Sequence, residues 1–301
     1  MKRLSVSPMI GRKRLFERLW GNLVKPTPDH LSLVGPQFFG KTVVLSAVAN
    51  KLRSEGAFAC VLEWDLGTQT PLSDTEFLQS LRARCADGLK EVRPDLHDYL
   101  IQEDSGYDEL REVIDELGRS RQRVLMLWDR FDRALHSGQL TRNLWDNLLE
   151  LCRKDGFRLV TATRKKLQEL LRDAKSVSSE FWQVFEVVRL PPFEAADIRA
   201  FTDSMAEHAF TPGALTELAN WSGGIPPLLV WVLNRIAADC GPGTVTNEQV
   251  NRAATQVDEK LTDVLDRLWS DCPAPAADLF RLLVDQSECP FADAGKIDRS
   301  M

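Results

Sequence analysis

LSLV-GPQFFGKT-VVLSAVANKL, residues 31–52, is the stretch that decides the fold. Its centre, Gly35-Pro36-Gln37-Phe38-Phe39-Gly40-Lys41-Thr42, fits the phosphate-loop pattern G-x-x-x-x-G-K-[ST] at every position. Glycines at both ends let backbone wrap a polyphosphate with its N–H groups turned inward. In that pattern Lys41 reaches the β- and γ-phosphates and the Thr42 hydroxyl ligates Mg²⁺. Gly35 through Val43 is therefore the candidate contact segment for a nucleotide. The flanks supply the context. Leu31-Ser32-Leu33-Val34 is an apolar run suited to a buried strand. Val44, Leu45, Val48 and Leu52 recur at helical spacing after the loop. The following helix adds its N-terminal dipole to the same anion.

Outward from the loop, apolar runs alternate with helical patterns. Residues 58–65 read as a strand, 73–118 as two acidic amphipathic helices parted near Pro94, and 124–128 as a buried strand. A helix follows over about 142–155, a strand over 157–163, and a weaker strand over 185–190 stopped by Pro191-Pro192. This alternation predicts an α/β fold, a parallel sheet sandwiched by helices. Beyond Pro192 no strand is legible. Helices are expected at about 194–207, 212–221, 226–239 and 247–270, with Thr211-Pro212 and Thr246 as starts. The expected organisation is a nucleotide-binding α/β domain over 1–192 and a small all-helical lid over 193–272. A tail over 273–301 carries one amphipathic helix, Ala276 to Leu283.

The strand at 124–128 is followed by Asp129, an acid where the chain leaves the sheet. That is the Walker B form, and Asp129 is the second candidate Mg²⁺ ligand beside Thr42. The next residue is Arg130, where many ATPases of this class carry a glutamate. A guanidinium stays protonated and cannot serve as a base. Asp132 is the nearest carboxylate able to substitute. The strand at 157–163 ends in Thr163-Arg164, candidates to sense a γ-phosphate, Arg164 by planar bidentate pairing.

Bulk properties set the remaining bounds. The chain has 301 residues, 44% hydrophobic and 27% charged, enough for one large or two modest domains. Its net charge of −6 gives no general attraction to nucleic acid or anionic membrane. Six cysteines are scattered without a C-x-x-C pair, which points to reduced thiols rather than zinc or disulfides. The N-terminus lacks the apolar core of a signal peptide. The longest apolar stretch, Ile225 to Leu233, contains two prolines and is too short to span a bilayer. A cytoplasmic protein without a membrane partner is expected.

Taken together these residues resemble the AAA+ superfamily, and within it the STAND-type signal-transduction ATPases and the related origin-recognition-like ATPases. Ile10-Gly11-Arg12 is similar to the family's hydrophobic-Gly-Arg box, which lies near the adenine. Gly35 to Thr42 is similar to its Walker A loop. Leu127 to Asp132 resembles its Walker B, with Arg130 in place of the usual Glu. Gly224-Ile225-Pro226 resembles the STAND G-x-P motif, whose proline approaches the base in the ADP state. The similarity spans about residues 8–272. In those proteins a winged helix begins where this chain ends, so the tail is expected to be the start of one. No arginine finger can be assigned.

The resemblance implies ATP or ADP with Mg²⁺ and a slowly hydrolysing molecular switch that controls self-assembly or a protein partner. A role in bacterial signalling or defence goes with it. ADP would hold the lid through Ile10 and Pro226, and ATP would reposition it through Lys41, Thr163 and Arg164. Two other readings stay open. A DNA-acting ATPase of origin-binding or transposition-regulator type would need a basic surface, for which Arg153, Lys154, Arg164, Lys165 and Lys166 are the available run. A nucleotide-held scaffold without turnover is suggested by Arg130. A metabolic kinase is disfavoured, as no acceptor site is legible.

Overall fold

A computed structural model describes residues 10–102, 106–136, 139–173, 180–256, 259–272 and 276–278. The chain divides into two compact units, residues 1–256 and 257–301. The first unit opens with α1 (Lys13–Val24), β1 (His30–Val34), α2 (Lys41–Glu55) and β2 (Cys60–Asp65). Three helices follow, α3 (Asp74–Leu89), α4 (Pro94–Leu100) and α5 (Tyr107–Arg119). Next come β3 (Val124–Asp129), α6 (Asp132–His136), α7 (Arg142–Cys152), β4 (Phe157–Thr163), α8 (Leu167–Asp173), a 3-10 turn (Phe181–Val184) and β5 (Phe185–Arg189).

The five strands form one parallel sheet in the order β2-β3-β4-β1-β5, flanked by helices. Every residue of β1, β3 and β4 is buried, because inner strands are covered on both faces. The edge strands β2 and β5 mix buried and open positions. The expected α/β fold is the one observed. The stretch 73–118 holds three helices rather than two. Pro94 starts α4 within its first turn, and Gly106 starts α5. In α5, Leu110, Val113, Ile114 and Leu117 form the buried stripe.

One aromatic chain fills the space under the sheet. Trp64 and Phe77 lie 4.9 Å apart, Trp128 and Phe131 5.1 Å, and Phe181 and Phe185 5.1 Å, in tilted or edge-to-face contacts. At the foot of the sheet His30, in β1, is buried. Its Nδ1 accepts the Leu159 N–H at 3.0 Å, so its Nε2–H donates to the Cys152 carbonyl at 2.7 Å. Burial pushes its pKa down to about 4, and the neutral ring ties β1 to β4 and α7.

After β5 come α9 (Ala195–Asp203), β6 (His208–Phe210), α10 (Pro212–Ser222), α11 (Pro226–Asp239), β7 (Gly243–Val245) and α12 (Asn247–Ala254). Thr211 caps α10 through the Ala214 N–H at 3.1 Å, and Thr246 caps α12. Two features differ from the sequence expectation. Residues 208–210 and 243–245 pair as a parallel two-stranded ribbon. Three-residue strands give no periodicity to read, and the pairing partners are more than thirty residues apart. The helix expected over 247–270 ends at Ala254, with Thr255 as its cap. α13 (Glu259–Ser270) belongs to the second unit. The expected third-domain start over 273–301 lies outside the described residues, apart from helical residues 276–278.

Candidate nucleotide site

Parallel order places β4 between the loop strand β1 and the Asp129 strand β3. Val34, Thr163 and Arg189 lie in register at the strand ends. The Gly35 N–H donates to the Thr163 carbonyl at 3.2 Å, so the first residue of the loop is tied to the end of β4. A Cβ on Gly35 would stand 2.9 Å from the Leu190 Cβ, tighter than real contacts allow, and only glycine fits the approach.

The loop then rises through the left-handed region at Phe38 (φ 66°) and Gly40 (φ 82°) into α2. A bulky residue at positive φ is rare and strained, as often found where a loop is shaped for a ligand. Phe39 is buried beneath the loop, whereas Phe38 and Val43 are exposed. Lys41 turns back into the loop. Its Nζ donates to the carbonyls of Gly35 at 2.6 Å and Pro36 at 2.7 Å. The Thr42 hydroxyl donates to Asp129 Oδ2 at 2.5 Å. Two hard oxygen donors from separate elements thus meet at the head of α2, the donor type Mg²⁺ takes.

Arg130 follows in the left-handed region (φ 53°), which turns its side chain along the sheet to Asp65 at the end of β2. Its Nε donates to Asp65 Oδ1 at 2.7 Å and its Nη2 to Oδ2, a bidentate pair. That bond raises the Arg130 pKa. Burial works against the Asp65 carboxylate, yet Arg130 and the Gly67 N–H hold it below its usual range. Asp65 was not among the sequence-derived site residues. The available signal was its position at a strand end, the same signal that marked Asp129.

Asp132 opens α6 and is buried. Its Oδ2 accepts from Arg164 Nε at 2.9 Å, so two sequence-derived candidates meet each other. The Thr163 hydroxyl donates to the Lys165 carbonyl at 2.7 Å. Helix α8 begins only at Leu167, so Thr163 stabilises the turn before the helix.

Ile10-Gly11-Arg12 lies beside the segment after β5. The Arg12 N–H donates to Asp197 Oδ1 at 2.6 Å, and its guanidinium stacks 4.7 Å over the Phe193 ring. Burial brings the Arg12 pKa down to about 10, with Asp197 opposing. The Phe193 N–H donates to the Gly224 carbonyl at 2.7 Å. Gly224 has φ +69°, and a Cβ there would meet the Phe193 oxygen at 2.4 Å. The early Gly-Arg and the late Gly-x-Pro therefore meet on Phe193, and Pro226 starts α11 two residues later. Phe193 and Asp197 were missed by sequence reasoning, since nothing local marks a residue whose role is to join two distant segments.

No protein-family model matches the chain, and neither does any curated protein. Solved structures do. A Walker-type ATPase of Pyrococcus abyssi superposes with a TM-score of 0.57 at 12% identity, over 93% of this chain and 90% of that one. The ORC2 protein of Aeropyrum pernix, in ADPNP–ADP complexes, gives 0.54 at 14% identity, over 87% and 74%. The ORC1 protein of the same organism, in complex with DNA, gives 0.50 at 16% identity, over 93% and 73%. At these identities the likeness is one of fold: the chain has the α/β architecture of origin-recognition-like P-loop ATPases.

Proposed function

We propose that this chain is an ATP-binding, slowly hydrolysing switch of AAA+ type. The observation that carries the reading is the meeting of Thr42 Oγ1 and Asp129 Oδ2 beside the Lys41 loop. The residues fit a Mg²⁺–nucleotide: inward-turned loop amides and an ammonium for phosphate, and a hydroxyl and a carboxylate for the metal. When bound, Mg²⁺ neutralises charge on the phosphates and orients them. Lys41 leaves the Gly35 and Pro36 carbonyls for the phosphate. Asp132 accepts a proton from water once Arg164 leaves its carboxylate for the γ-phosphate. Thr163 holds the end of β4 against the loop throughout.

The lid over 193–272 follows the nucleotide through Arg12, Asp197 and Phe193, with Ile10 and Pro226 beside the base. The α/β part spans 1–192. The exchange of states controls self-assembly or a protein partner in the cytoplasm, and STAND-like signalling or defence is the biological setting. Such a switch requires the two nucleotides to differ in affinity for the two lid positions.

Thermal melts with Mg-ADP and Mg-ATP, beside phosphate release, test this reading. Both nucleotides should raise the melting temperature of the wild type and neither that of Lys41→Ala. Turnover should fall at least about a hundredfold in Asp132→Asn, the ordinary weight of a lost general base. Nucleotide binding with no turnover in the wild type would leave a nucleotide-held scaffold.

A second reading is a DNA-acting ATPase, favoured by the fold shared with the ORC1 protein solved on DNA. Its basic run is partly committed elsewhere. Lys154 is held by Asp115 and Arg164 by Asp132, while Arg153 and Lys165 are exposed. Duplex binding that strengthens with ATP and falls steeply with salt would establish it. No binding at low salt would remove it.

A further inference from the structure

A cavity of about 530 Å³ opens on the edge of the sheet, with no phosphate-loop residue among its described lining, and lies within the size range of small-molecule sites. Its floor is the face of β5 that carries Phe185, Val187 and Arg189, together with Ser32 of β1. α8 and the 3-10 turn supply the wall, through Leu167 and Trp182. Arg18, from α1, reaches over the open edge.

Three features give the cavity a chemistry. First, its lining among the described residues includes three cations, Arg18, Lys166 and Arg189, two amides, Gln168 and Gln183, and no acid. Arg18 is held at 2.6 Å by Glu186, which stands outside the lining. Second, the Ser32 hydroxyl is fully buried on the floor without a partner among the described residues. Buried hydroxyls normally find one, and Ser32 is a residue of this lining. Third, the Trp182 ring and Val187 line the same space, and Val187 is 40% exposed although it lies within a strand. An apolar surface beside convergent cations suits a molecule with two unlike ends.

We propose that this cavity is a second ligand site, distinct from the phosphate loop, for a small anion carrying an aromatic or apolar body. The acid group lies between Lys166 and Arg189, where a phosphate or carboxylate gains charge-assisted hydrogen bonds. The body lies along Trp182 and Val187, with a polar atom on Ser32. The site is connected to the loop through the chain itself: Ser32 precedes Gly35 by three residues, and Arg189 lies in register with Val34.

The test uses the full chain and 1-naphthyl phosphate, with 1-naphthoate and inorganic phosphate as separate arms, by calorimetry and tryptophan quenching. Saturable one-site binding of either naphthyl acid, tighter than that of inorganic phosphate, is the expected result. The two acids distinguish a phosphate from a carboxylate ligand. Binding should persist in Lys41→Ala, weaken about tenfold or more in Lys166→Ala and in Arg189→Ala, and lose its quench in Trp182→Phe. Neither Lys166 nor Arg189 is in the buried core, so these variants retain the fold, which circular dichroism verifies. Ser32→Ala should weaken binding several-fold while the melting temperature holds or rises. No saturation by either acid below about 1 mM would overturn the proposal. So would binding lost with Lys41, or binding indifferent to both Lys166 and Arg189.

Discussion

Acidification should loosen the strand that carries the phosphate loop through His30, starting at a higher pH than the loss from the carboxylates. In the folded chain the ring is neutral, because Nδ1 accepts the Leu159 N–H and leaves no room for a second ring proton. Its pKa is about 4, against 6.5 for a free histidine. The sign follows from proton counting. Between pH 6.5 and 4 the unfolded chain binds a proton that the folded chain does not, so stability rises with pH across that window. The contribution is complete above about pH 6.5 and is lost as pH falls towards 4. At about 1.4 kcal/mol per pH unit, the gap from 6.5 to about 4 amounts to roughly 3 kcal/mol. The His30 part of the slope cannot exceed that of one proton. Glu109, Asp29, Asp65 and Asp95 also have lowered values and add a loss of the same sign towards the acid end of the window. Urea titrations every half pH unit from 7.5 to 4, followed by circular dichroism, measure the slope. His30→Gln keeps an acceptor and a donor but does not titrate, so its curve should be nearly flat above about pH 5 and shallower than the wild type's below it. A flat wild-type curve, or an equal slope in His30→Gln, would refute the assignment of a buried neutral ring.

Other substitutions probe the remaining joints. Gly224→Ala places a Cβ 2.4 Å from the Phe193 oxygen at a φ of +69°. It should cost at least about 2 kcal/mol in a urea titration and blunt any nucleotide-induced shift in melting temperature. Arg158 is buried and donates to the carbonyls of Pro28, Lys154 and Phe157 at 2.6–2.9 Å. Arg158→Leu strands those acceptors and should lower stability by about 3 kcal/mol, read as a drop of roughly 6–12 °C in melting temperature. Arg130→Glu installs the carboxylate common in related ATPases, yet it should not raise phosphate release. The backbone turn at Arg130 directs that side chain to Asp65, and a glutamate there meets a like charge. A clear gain in turnover would show that the side chain faces the phosphates instead.

The sequence alone determined the parts whose signal is local. A motif of eight residues with a strand before it and a helix after it fixes a phosphate loop, because loop, strand and helix are each set by near neighbours. Strand ends at Asp129 and Thr163 were legible because buried runs of β3 and β4 stop abruptly at a polar residue. The alternation of runs was enough for a parallel sheet. Strand order was not, since it depends on which strands pair across crossovers, and only the folded chain sets β4 between β1 and β3. That order makes the Thr163 carbonyl the anchor of Gly35. The tertiary structure also decided what faces what. Arg130 went to Asp65 and Arg164 to Asp132, because charges pair by proximity in space rather than in sequence. Arg12 and Gly224, more than two hundred residues apart, meet on Phe193 for the same reason. The ribbon of β6 and β7 stayed hidden because three-residue strands gain their order from each other and carry no period of their own.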